Sequence, residues 1–272
     1  MKNELANTYV PTVFMDNNTI ISDIQRLGAG SHASVYSGLC NKVGEKSSRV
    51  AIKVYSGTNI GYAEREIDIL SSNVKHPNVV QYLFHKCEQS CVFFTMPLYK
   101  TTLSTVLYSN IEFPKVQYAN QLLSALQYLH SNNFAHRDIK SDNVLLSDNG
   151  VVLSDFSVAC KHQEGRTHSL HAHPFIYRAP EVFGSYSYNA QQSDMWAIGM
   201  LLIEFDLRKP VFRDGTEFDV KQQINNTFFP IFNIFQHTNT LYTKLVPNNK
   251  RTLSPKVVHN LIFIEPSLRK FS

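Results

Sequence analysis

The segment 136–146 has the sequence HRDIKSDNVLL, in which charged and polar residues precede a short apolar run. Its distinctive residues are His136, Arg137, Asp138, Lys140 and Asn143. Five specified residue types at fixed spacing arise by chance in about one of 10⁴ chains of this length. A pattern this rare is a specific signal, and the segments on both sides of it are therefore interpreted together with it.

The composition is that of a folded globular protein. The 272 residues are 43% hydrophobic, and a chain of this length can form one large domain or two lobes that share a cleft. No stretch approaches the roughly 20 apolar residues of a membrane-spanning helix. The start, MKNELANTYVPTVF, lacks the apolar core of a secretory signal. We therefore expect no membrane partner and an intracellular location, in the cytoplasm or the nucleus.

Charge and cysteine content exclude further classes of site. Lys and Arg number 26 and Asp and Glu 22, for a net charge of +4, and the basic residues form no run typical of nucleic-acid binding. We therefore expect no nucleic-acid partner. The cysteines are Cys40, Cys87, Cys91 and Cys160. They lack zinc-site spacing and are predicted to be reduced core thiols, so no metal site made of protein ligands alone is expected.

The first part of the chain is predicted to be rich in β-structure. Residues 1–19 are rich in Asn and Thr and are interpreted as an extension. Over residues 20–96, β-branched and aromatic runs separated by Gly, Asn and Ser predict a five-stranded, mostly antiparallel sheet. One helix is expected in GYAEREIDILSS, where Ile67 and Leu70, with Ala63 behind them, have the spacing of a buried helical face.

The pattern becomes helical after Leu98. In VQYANQLLSALQYLHS, one apolar face is predicted from Ala119, Leu122, Leu123, Leu126 and Leu129. A second helix is predicted in SDMWAIGMLLIEFD. We therefore predict a β-rich N-lobe over residues 20–96, a hinge at 97–100 and an α-rich C-lobe over 101–272.

Two features of the N-lobe are candidates for phosphate binding. In LGAGSHASVYSG, Gly28 and Gly30 let backbone N–H groups approach phosphate oxygens, although an ordinary hairpin turn has the same signature and the third glycine position is Ala33. Lys53 lies in the middle of a strand, where a lysine usually faces solvent. Glu66 lies on the predicted helix, and if both side chains face the interior they must pair or shift their pKa values.

The segment HRDIKSDNVLL resembles the catalytic loop of eukaryotic-type protein kinases. Further on, Asp155-Phe156-Ser157 has the position of the family's DFG motif and Ala179-Pro180-Glu181 that of APE, while residues 194–199, DMWAIG, resemble D-x-W-x-x-G. The resemblance covers residues 20–272 and implies a bilobal α+β protein kinase fold. The segment MPLYKTTL and the compact C-lobe are also similar to viral kinases, for which the location would be a host cell.

The resemblance implies roles for individual residues. Asp138, Lys140 and Asn143 would be catalytic, and Asn143 and Asp155 would bind Mg²⁺. Lys53 would hold the α- and β-phosphates of ATP, and Glu66 would hold Lys53. The remaining ATP-binding residues would be Leu27, Gly28, Ala29, Gly30, Val35, Ala51, Met96, Pro97, Tyr99 and Leu145.

Other residues would shape and regulate the site. Arg137 would pair with a phosphate on the activation segment, where Thr167 and Ser169 are the candidate acceptors. Asp194, Glu181 and Arg269 would be structural, with the last two forming an ion pair. Ser157 replaces the glycine of DFG, which costs about 1 kcal/mol if its φ must turn positive. Pro174 replaces a threonine that aligns the substrate.

The function implied is transfer of the γ-phosphate of ATP, with Mg²⁺, to Ser or Thr of a protein substrate. Lys140 favours this over a small-molecule phosphotransferase, which remains a distant alternative. The main alternative is a pseudokinase or scaffold that binds ATP and regulates a partner protein. Ser157 and Pro174 favour that alternative, whereas Lys53, Asp138, Asn143 and Asp155 oppose it.

Overall fold

The computed structural model describes residues 13–16, 18–72, 74–88, 90–109, 111–161, 174–183, 187–232, 242, 245–262 and 269–271. The chain divides into two compact units. Unit 1 comprises residues 1–75 and 80–100, and unit 2 comprises residues 76–79 and 101–272.

Unit 1 is built on one antiparallel sheet. Its strands are β1 Val13–Asp16, β2 Thr19–Ala29, β3 Ser34–Lys42, β4 Ser48–Ser56, β5 Phe84–Glu88 and β6 Cys91–Pro97. They lie in the order β1-β2-β3-β4-β6-β5. The sheet has one strand more than the five predicted. The additional strand is β1, which lies inside the predicted extension and pairs with β2, with Val13 opposite Ile21. So short a segment has little pattern of its own, and its order comes from this pairing.

The two faces of β4 bury different groups. Val50, Ile52 and Val54 share one face and belong to one apolar cluster with Tyr36 of β3 and Ile21 of β2. The opposite face is covered by the helix α1 Ile60–Ser71, which contacts β4 and β6. The buried residues of α1 are Ala63, Glu66, Ile69 and Leu70. The prediction of Ile67 as a core residue was therefore wrong, because Ile67 lies at the flank of the helical face and is only half-buried.

The described part of unit 2 contains five short strands. They are β7 Thr101–Thr102, β8 Phe134–Ala135, β9 Val144–Ser147, β10 Gly150–Leu153 and β11 Cys160–Lys161. Three of them form a sheet in the order β10-β9-β7, and β11 pairs with β8. Residues 76–79 belong here because Asn78 Nδ2 donates to the Val151 carbonyl at 2.8 Å and Leu153 N donates to the Asn78 carbonyl at 2.8 Å. The predicted N-lobe had no such interruption.

The described residues of unit 2 also form helices, some of which contact its strands. These helices include α2 Leu103–Leu107, α3 Lys115–Ser131, α4 Ala190–Leu207, α5 Glu217–Phe232 and α6 Pro255–Leu261. Helix α4 is buried nearly all round, with Trp196 fully enclosed. On α3 the buried residues include Ala125, whereas the predicted core residue Leu123 is only half-buried. The apolar stripe of α3 is therefore rotated slightly from the predicted one.

The four cysteines are reduced thiols, but they are not all in the core. Only Cys40 is buried, and Cys87 is exposed at the end of β5. The prediction that all four are core thiols was therefore wrong for Cys87. Within the residues that the structure describes, no helix is long and apolar enough to cross a membrane. In the same residues, no group of three or more His, Cys, Asp or Glu side chains could hold a metal ion.

Candidate active site

In unit 1, Lys53 and Glu66 form a buried ion pair. The period-two alternation of β4 turns Lys53 towards α1, where Glu66 occupies the buried face. Lys53 Nζ lies 2.9 Å from Glu66 Oε1 and 3.1 Å from Oε2. The side chains are 9% and 0% exposed, respectively. The alternative that Lys53 is a solvated surface lysine is therefore wrong.

A third side chain completes this pair. The Tyr55 hydroxyl donates a hydrogen bond to Glu66 Oε2. Tyr55 lies two residues after Lys53, so both side chains project from the same face of β4. Tyr55 was not predicted as a site residue, although its position at i+2 from a buried lysine is a signal that could have found it. Two donors therefore hold the Glu66 carboxylate in one orientation.

The predicted phosphate loop is the hairpin between β2 and β3. Gly28 pairs with Val35 and Ala29 with Ser34, and Gly30 N donates to the Ala33 carbonyl at 2.8 Å. A Cβ at Gly28 would have no atom within 4 Å, and one at Gly30 would lie 3.8 Å from the Ala33 oxygen. The packing of unit 1 therefore does not require glycine at either position. Leu27, which precedes them, is exposed.

Three of the predicted adenine-binding residues of unit 1, Val35, Ala51 and Met96, share a face of the sheet with Lys53. Ala51 pairs with Met96 and Val35 with Lys53, so these four side chains project from the same side. Ala51 and Met96 are buried and Val35 is half-buried.

The remaining adenine-binding candidates are not brought together within one unit. Pro97 ends β6, and Tyr99 is half-buried two residues later. Burial raises the pKa of the Tyr99 hydroxyl. Leu145 belongs to unit 2, where it lies half-buried on β9 and pairs with Val152.

In unit 2, Asp194 of α4 holds the backbone of the HRD segment. Its Oδ2 accepts from His136 N at 2.7 Å and its Oδ1 accepts from Arg137 N at 2.7 Å. Arg137 has a φ of 66°, which is unfavourable for a residue with a side chain. The fully buried Asp194 carboxylate therefore stabilises a strained turn next to Asp138.

Asp138, Lys140 and Asn143 form one polar cluster. Lys140 Nζ lies 3.1 Å from Asp138 Oδ1 and 2.9 Å from Oδ2. Asn143 Nδ2 donates to the Asp138 carbonyl at 2.8 Å and to Oδ2 at 2.7 Å. Asp138 and Lys140 are 14% and 25% exposed, so a substrate can reach them. Because the Asn143 amide nitrogen binds Asp138, its oxygen is the atom suited to a metal ion.

His136 supports the cluster of Asp138, Lys140 and Asn143 through hydrogen bonds of its ring. Its Nε2 donates to the Ser154 carbonyl at 3.0 Å, and its Nδ1 accepts from Asp138 N at 3.2 Å. Complete burial lowers the His136 pKa, so the ring is neutral at pH 7. The ring also packs edge-on against Phe156, with centroids 4.7 Å apart. His136 therefore links the HRD segment to Asp155, on whose two sides Ser154 and Phe156 lie.

The Asp155-Phe156-Ser157 segment differs from the expectation. The positive φ belongs to Asp155, at 68°, whereas Ser157 is buried and does not have a positive φ. The expected conformational cost at Ser157 therefore does not arise in this structure. Pro174 precedes a short 3₁₀ turn, Phe175–Tyr177, and its carbonyl accepts from Tyr177 N at 3.1 Å.

Arg137 points away from Asp138. Its Nε donates to the Tyr188 hydroxyl at 3.1 Å and its Nη1 to the Val158 carbonyl at 3.3 Å. The candidate phosphate acceptors Thr167 and Ser169 lie outside the described residues. The role proposed for Arg137 in regulation therefore stays a prediction.

Glu181 and Arg269 meet in a bidentate ion pair. Arg269 Nη1 lies 2.5 Å from Glu181 Oε1, and Nη2 lies 2.8 Å from Oε2. Arg269 Nη1 also donates to the Gln192 carbonyl at 2.9 Å, and the guanidinium lies 5.2 Å from the Trp196 ring. The Arg269 side chain is completely buried. The pair therefore ties the APE segment to α4 and to residue 269.

Glu204 of α4 was not predicted as a site residue. The Tyr177 hydroxyl donates to its Oε2 at 2.8 Å, and the Tyr108 hydroxyl donates to the same oxygen at 3.2 Å. Both tyrosines also lie near Ser141, which follows Lys140. Burial raises the pKa of Glu204 to about 7. Glu204 therefore links the catalytic segment to the residues before APE.

The oxygen donors of unit 2 fit magnesium. Mg²⁺ prefers one or two protein oxygen ligands together with phosphate oxygens and water. Asn143 offers its amide oxygen, and the half-buried Asp155 offers a carboxylate. These two residues would hold the ion.

Comparisons with known proteins identify the family. The protein kinase domain family matches residues 21–269. CBL-interacting serine/threonine-protein kinase 12 of Arabidopsis thaliana is 30% identical over 254 residues, which cover 87% of this chain and 51% of that protein. Mitogen-activated protein kinase kinase kinase kinase 3 of Homo sapiens is 32% identical over 202 residues, which cover 70% and 22%. The chain thus spans about half or less of these relatives. With a β-rich unit 1 and a helical unit 2, the chain belongs to the protein kinase domain family and has its bilobal α+β fold.

Proposed function

We propose that this chain is a serine/threonine protein kinase that transfers the γ-phosphate of ATP to a hydroxyl group of a protein substrate. The observation that carries the proposal is the cluster of Asp138, Lys140 and Asn143, in which a partly exposed carboxylate is held by an ammonium and an amide. Phosphoryl transfer depends on positioning and positive charge more than on covalent catalysis, and this cluster supplies both.

The residues of unit 1 bind and orient the nucleotide. The Lys53 ammonium, held by Glu66, attracts the α- and β-phosphates of ATP. Gly28, Ala29 and Gly30 offer backbone N–H groups to phosphate oxygens. Glycine at positions that the packing leaves open supports this role. Val35, Ala51 and Met96 share the face of Lys53 and contact the adenine ring.

Further contacts to adenine come from residues beyond that face. Leu27 and Leu145 add apolar contact with the ring. Pro97 accepts through its carbonyl from the adenine amino group, and Tyr99 donates through its backbone N–H. Pro97 has no N–H, and the role requires none.

The residues of unit 2 act on the reacting groups. Asp138 orients the substrate hydroxyl and accepts its proton. Lys140, 2.9 Å from Asp138, neutralises charge on the γ-phosphate as it is transferred. Asn143 and Asp155 hold Mg²⁺, which when bound neutralises phosphate charge. Neutral His136 keeps the backbone of Asp138 in place through its Nδ1 acceptor.

Protein Ser/Thr is the substrate class that the comparisons favour. The Arabidopsis relative named above is a serine/threonine-protein kinase, and the human relative is a mitogen-activated protein kinase kinase kinase kinase. Lys140 has the position of a lysine that small-molecule phosphotransferases usually lack. Four cysteines in the thiol form support a reducing compartment, the cytoplasm or the nucleus.

A pseudokinase that binds Mg-ATP and regulates a partner is the second candidate, favoured by Ser157 and Pro174. The experiment that separates the two incubates the chain with labelled ATP, Mg²⁺ and a panel of basic and proline-containing peptides. We expect label on Ser or Thr of at least one peptide and none when Asp138→Asn replaces the wild type. Mg-ATP binding without label on any peptide or on the chain itself would favour the pseudokinase.

A further inference from the structure

The tip of the hairpin between β2 and β3 is attached to α1 by an aromatic stack. The imidazole of His32 lies on the ring of Tyr62, with centroids 3.8 Å apart and an interplanar angle of 28°. Both side chains are half-buried. The guanidinium of Arg65, one turn further along α1, lies 5.8 Å from the centroid of the Tyr62 ring. The stack connects the glycine-rich loop to a helix that is remote in sequence.

The contact between His32 and Tyr62 completes a closed circuit of contacts that includes the Lys53 ion pair. Tyr62 precedes Glu66 by four residues, so both side chains lie on one side of α1. Glu66 binds Lys53, and Lys53 pairs with Val35 on the strand that begins just after His32. The loop tip, the helix and the ion pair therefore hold one another within unit 1.

Among the residues that the structure describes, the other contacts shown for the tip are local. The hydrogen bond from Gly30 N to the Ala33 carbonyl closes the turn itself and does not reach α1. The two exposed glycines make this backbone permissive. A hairpin tip of this kind samples many conformations unless a side chain attaches it to a larger element. His32 is a side chain that provides such an attachment.

We propose that His32 and Tyr62 are positioning residues that hold the glycine-rich loop against α1, so that its backbone N–H groups are arranged for the phosphates of ATP. This inference rests on the proposed function. Neither ring touches the reacting atoms, and both act through the loop. An aromatic stack of this kind is expected to contribute about 2- to 10-fold to an equilibrium that depends on it.

The test compares His32→Ala, Tyr62→Ala and the double variant with the wild type. We expect each single variant to raise the dissociation constant of Mg-ATP and the KM for ATP about 2- to 10-fold, with kcat nearly unchanged. The double variant should show no larger effect than either single variant, because all three remove one contact. Hydrogen exchange at residues 28–35 of the nucleotide-free chain should become faster in all three.

Two controls separate positioning from general destabilisation. Tyr62→Phe keeps the aromatic ring and should bind Mg-ATP with the affinity of the wild type. Glu64→Ala changes an exposed residue of the same helix and should affect neither affinity nor exchange in the loop. Melting temperatures recorded for every variant show whether a loss of affinity accompanies a loss of fold.

The outcomes separate this inference from the proposed function. If the wild type binds Mg-ATP and His32→Ala and Tyr62→Ala bind it with the same affinity, the inference is overturned and the proposed function is left intact. Additive losses in the double variant would also overturn it. A wild-type chain that binds no Mg-ATP would overturn both.

Discussion

Two buried ion pairs differ in what surrounds them. In unit 1, Lys53 contacts Glu66 through one ammonium group, and the Lys53 side chain is 9% exposed. In unit 2, Arg269 grips Glu181 with both terminal nitrogens, also binds the Gln192 carbonyl, and is completely buried. An ammonium is a compact point charge, whereas a guanidinium is planar and presents several N–H donors in fixed directions. The donors of Arg269 bind acceptors of the protein itself.

The comparison indicates that the two ion pairs have different roles. The Arg269 fork is directed at groups of its own chain, which is typical of a pair that stabilises a fold. The Lys53 ammonium can hold Glu66 and still attract a phosphate group, which is typical of a binding site. We therefore expect substitutions in the Arg269 pair to lower stability and substitutions in the Lys53 pair to lower activity.

The largest effect is expected from Arg269→Ala. The substitution leaves the Glu181 carboxylate without its buried partner and should lower the free energy of unfolding by about 3 to 5 kcal/mol. Chemical denaturation measures this difference. Lys270→Ala, at an exposed neighbouring position, is the matched control. A chain lacking residues 268–272 should lose stability to a similar degree, and an unchanged melting temperature in that chain would contradict the structural role.

Lys53→Met should reduce phosphotransfer at least about 100-fold, because the positioning of phosphates by a preorganised charge contributes a few kcal/mol. The fold should remain, since methionine fills a similar volume. Initial rates with labelled ATP and circular dichroism measure the two properties. Lys46→Met, at an exposed position, should have no effect on either. Turnover close to that of the wild type would show that Lys53 does not serve the nucleotide.

Glu204→Gln should change how stability depends on pH. Burial raises the Glu204 pKa to about 7 from an ordinary value near 4.5, so the folded chain holds a proton that the unfolded chain releases. The stabilisation that the folded chain gains by holding this proton is fully present below about pH 4.5 and is lost as the pH rises to about 7. A tenfold difference in proton affinity between the folded and unfolded chain corresponds to about 1.4 kcal/mol. We therefore expect the free energy of unfolding of Glu204→Gln to increase, relative to that of the wild type, by about 1 to 3 kcal/mol between about pH 5 and 8.

Urea denaturation at several pH values measures this gain. The comparison of two chains cancels the contributions of the other titrating groups, and Glu64→Gln at an exposed position of unit 1 serves as the control. A constant difference between Glu204→Gln and the wild type across this pH range would mean that Glu204 is ionised throughout.

The smallest effect is expected from Tyr55→Phe. The substitution removes one of the donors that hold Glu66 and leaves Lys53 in place, so we expect about a tenfold rise in the KM for ATP. Tyr82→Phe, whose hydroxyl contacts His85 at the surface of the same unit, is the matched control. Equal kinetics in Tyr55→Phe and the wild type would show that Lys53 alone orients Glu66.

The sequence predicted those parts of the molecule whose signals are local. Strand and helix content followed from periodicity, and the residues around Asp138 followed from a rare spacing. Contacts between distant segments were harder to predict, since neither partner has a pattern of its own. The hydrogen bond from Asn78 to Val151 spans 73 residues and moves part of the predicted N-lobe into unit 2.

The site followed the same division. The proximity of Lys53 and Glu66 was expected because two charged side chains that face an interior must form an ion pair or shift their pKa values. Tyr55 was missed because tyrosine is common in strands and its hydroxyl partner is visible only in three dimensions. The position of the positive φ, at Asp155 rather than Ser157, depends on the packing of the whole segment and therefore has no sequence signal.

The most direct test of the account measures Mg-ATP affinity and turnover together in Asp138→Asn. If the buried pair of unit 1 binds the nucleotide and Asp138 acts on the substrate hydroxyl, the variant should bind Mg-ATP with the affinity of the wild type. Its phosphotransfer rate should fall about 10²- to 10⁴-fold. Unchanged turnover, or a loss of Mg-ATP affinity as large as the loss of turnover, would contradict this division of labour.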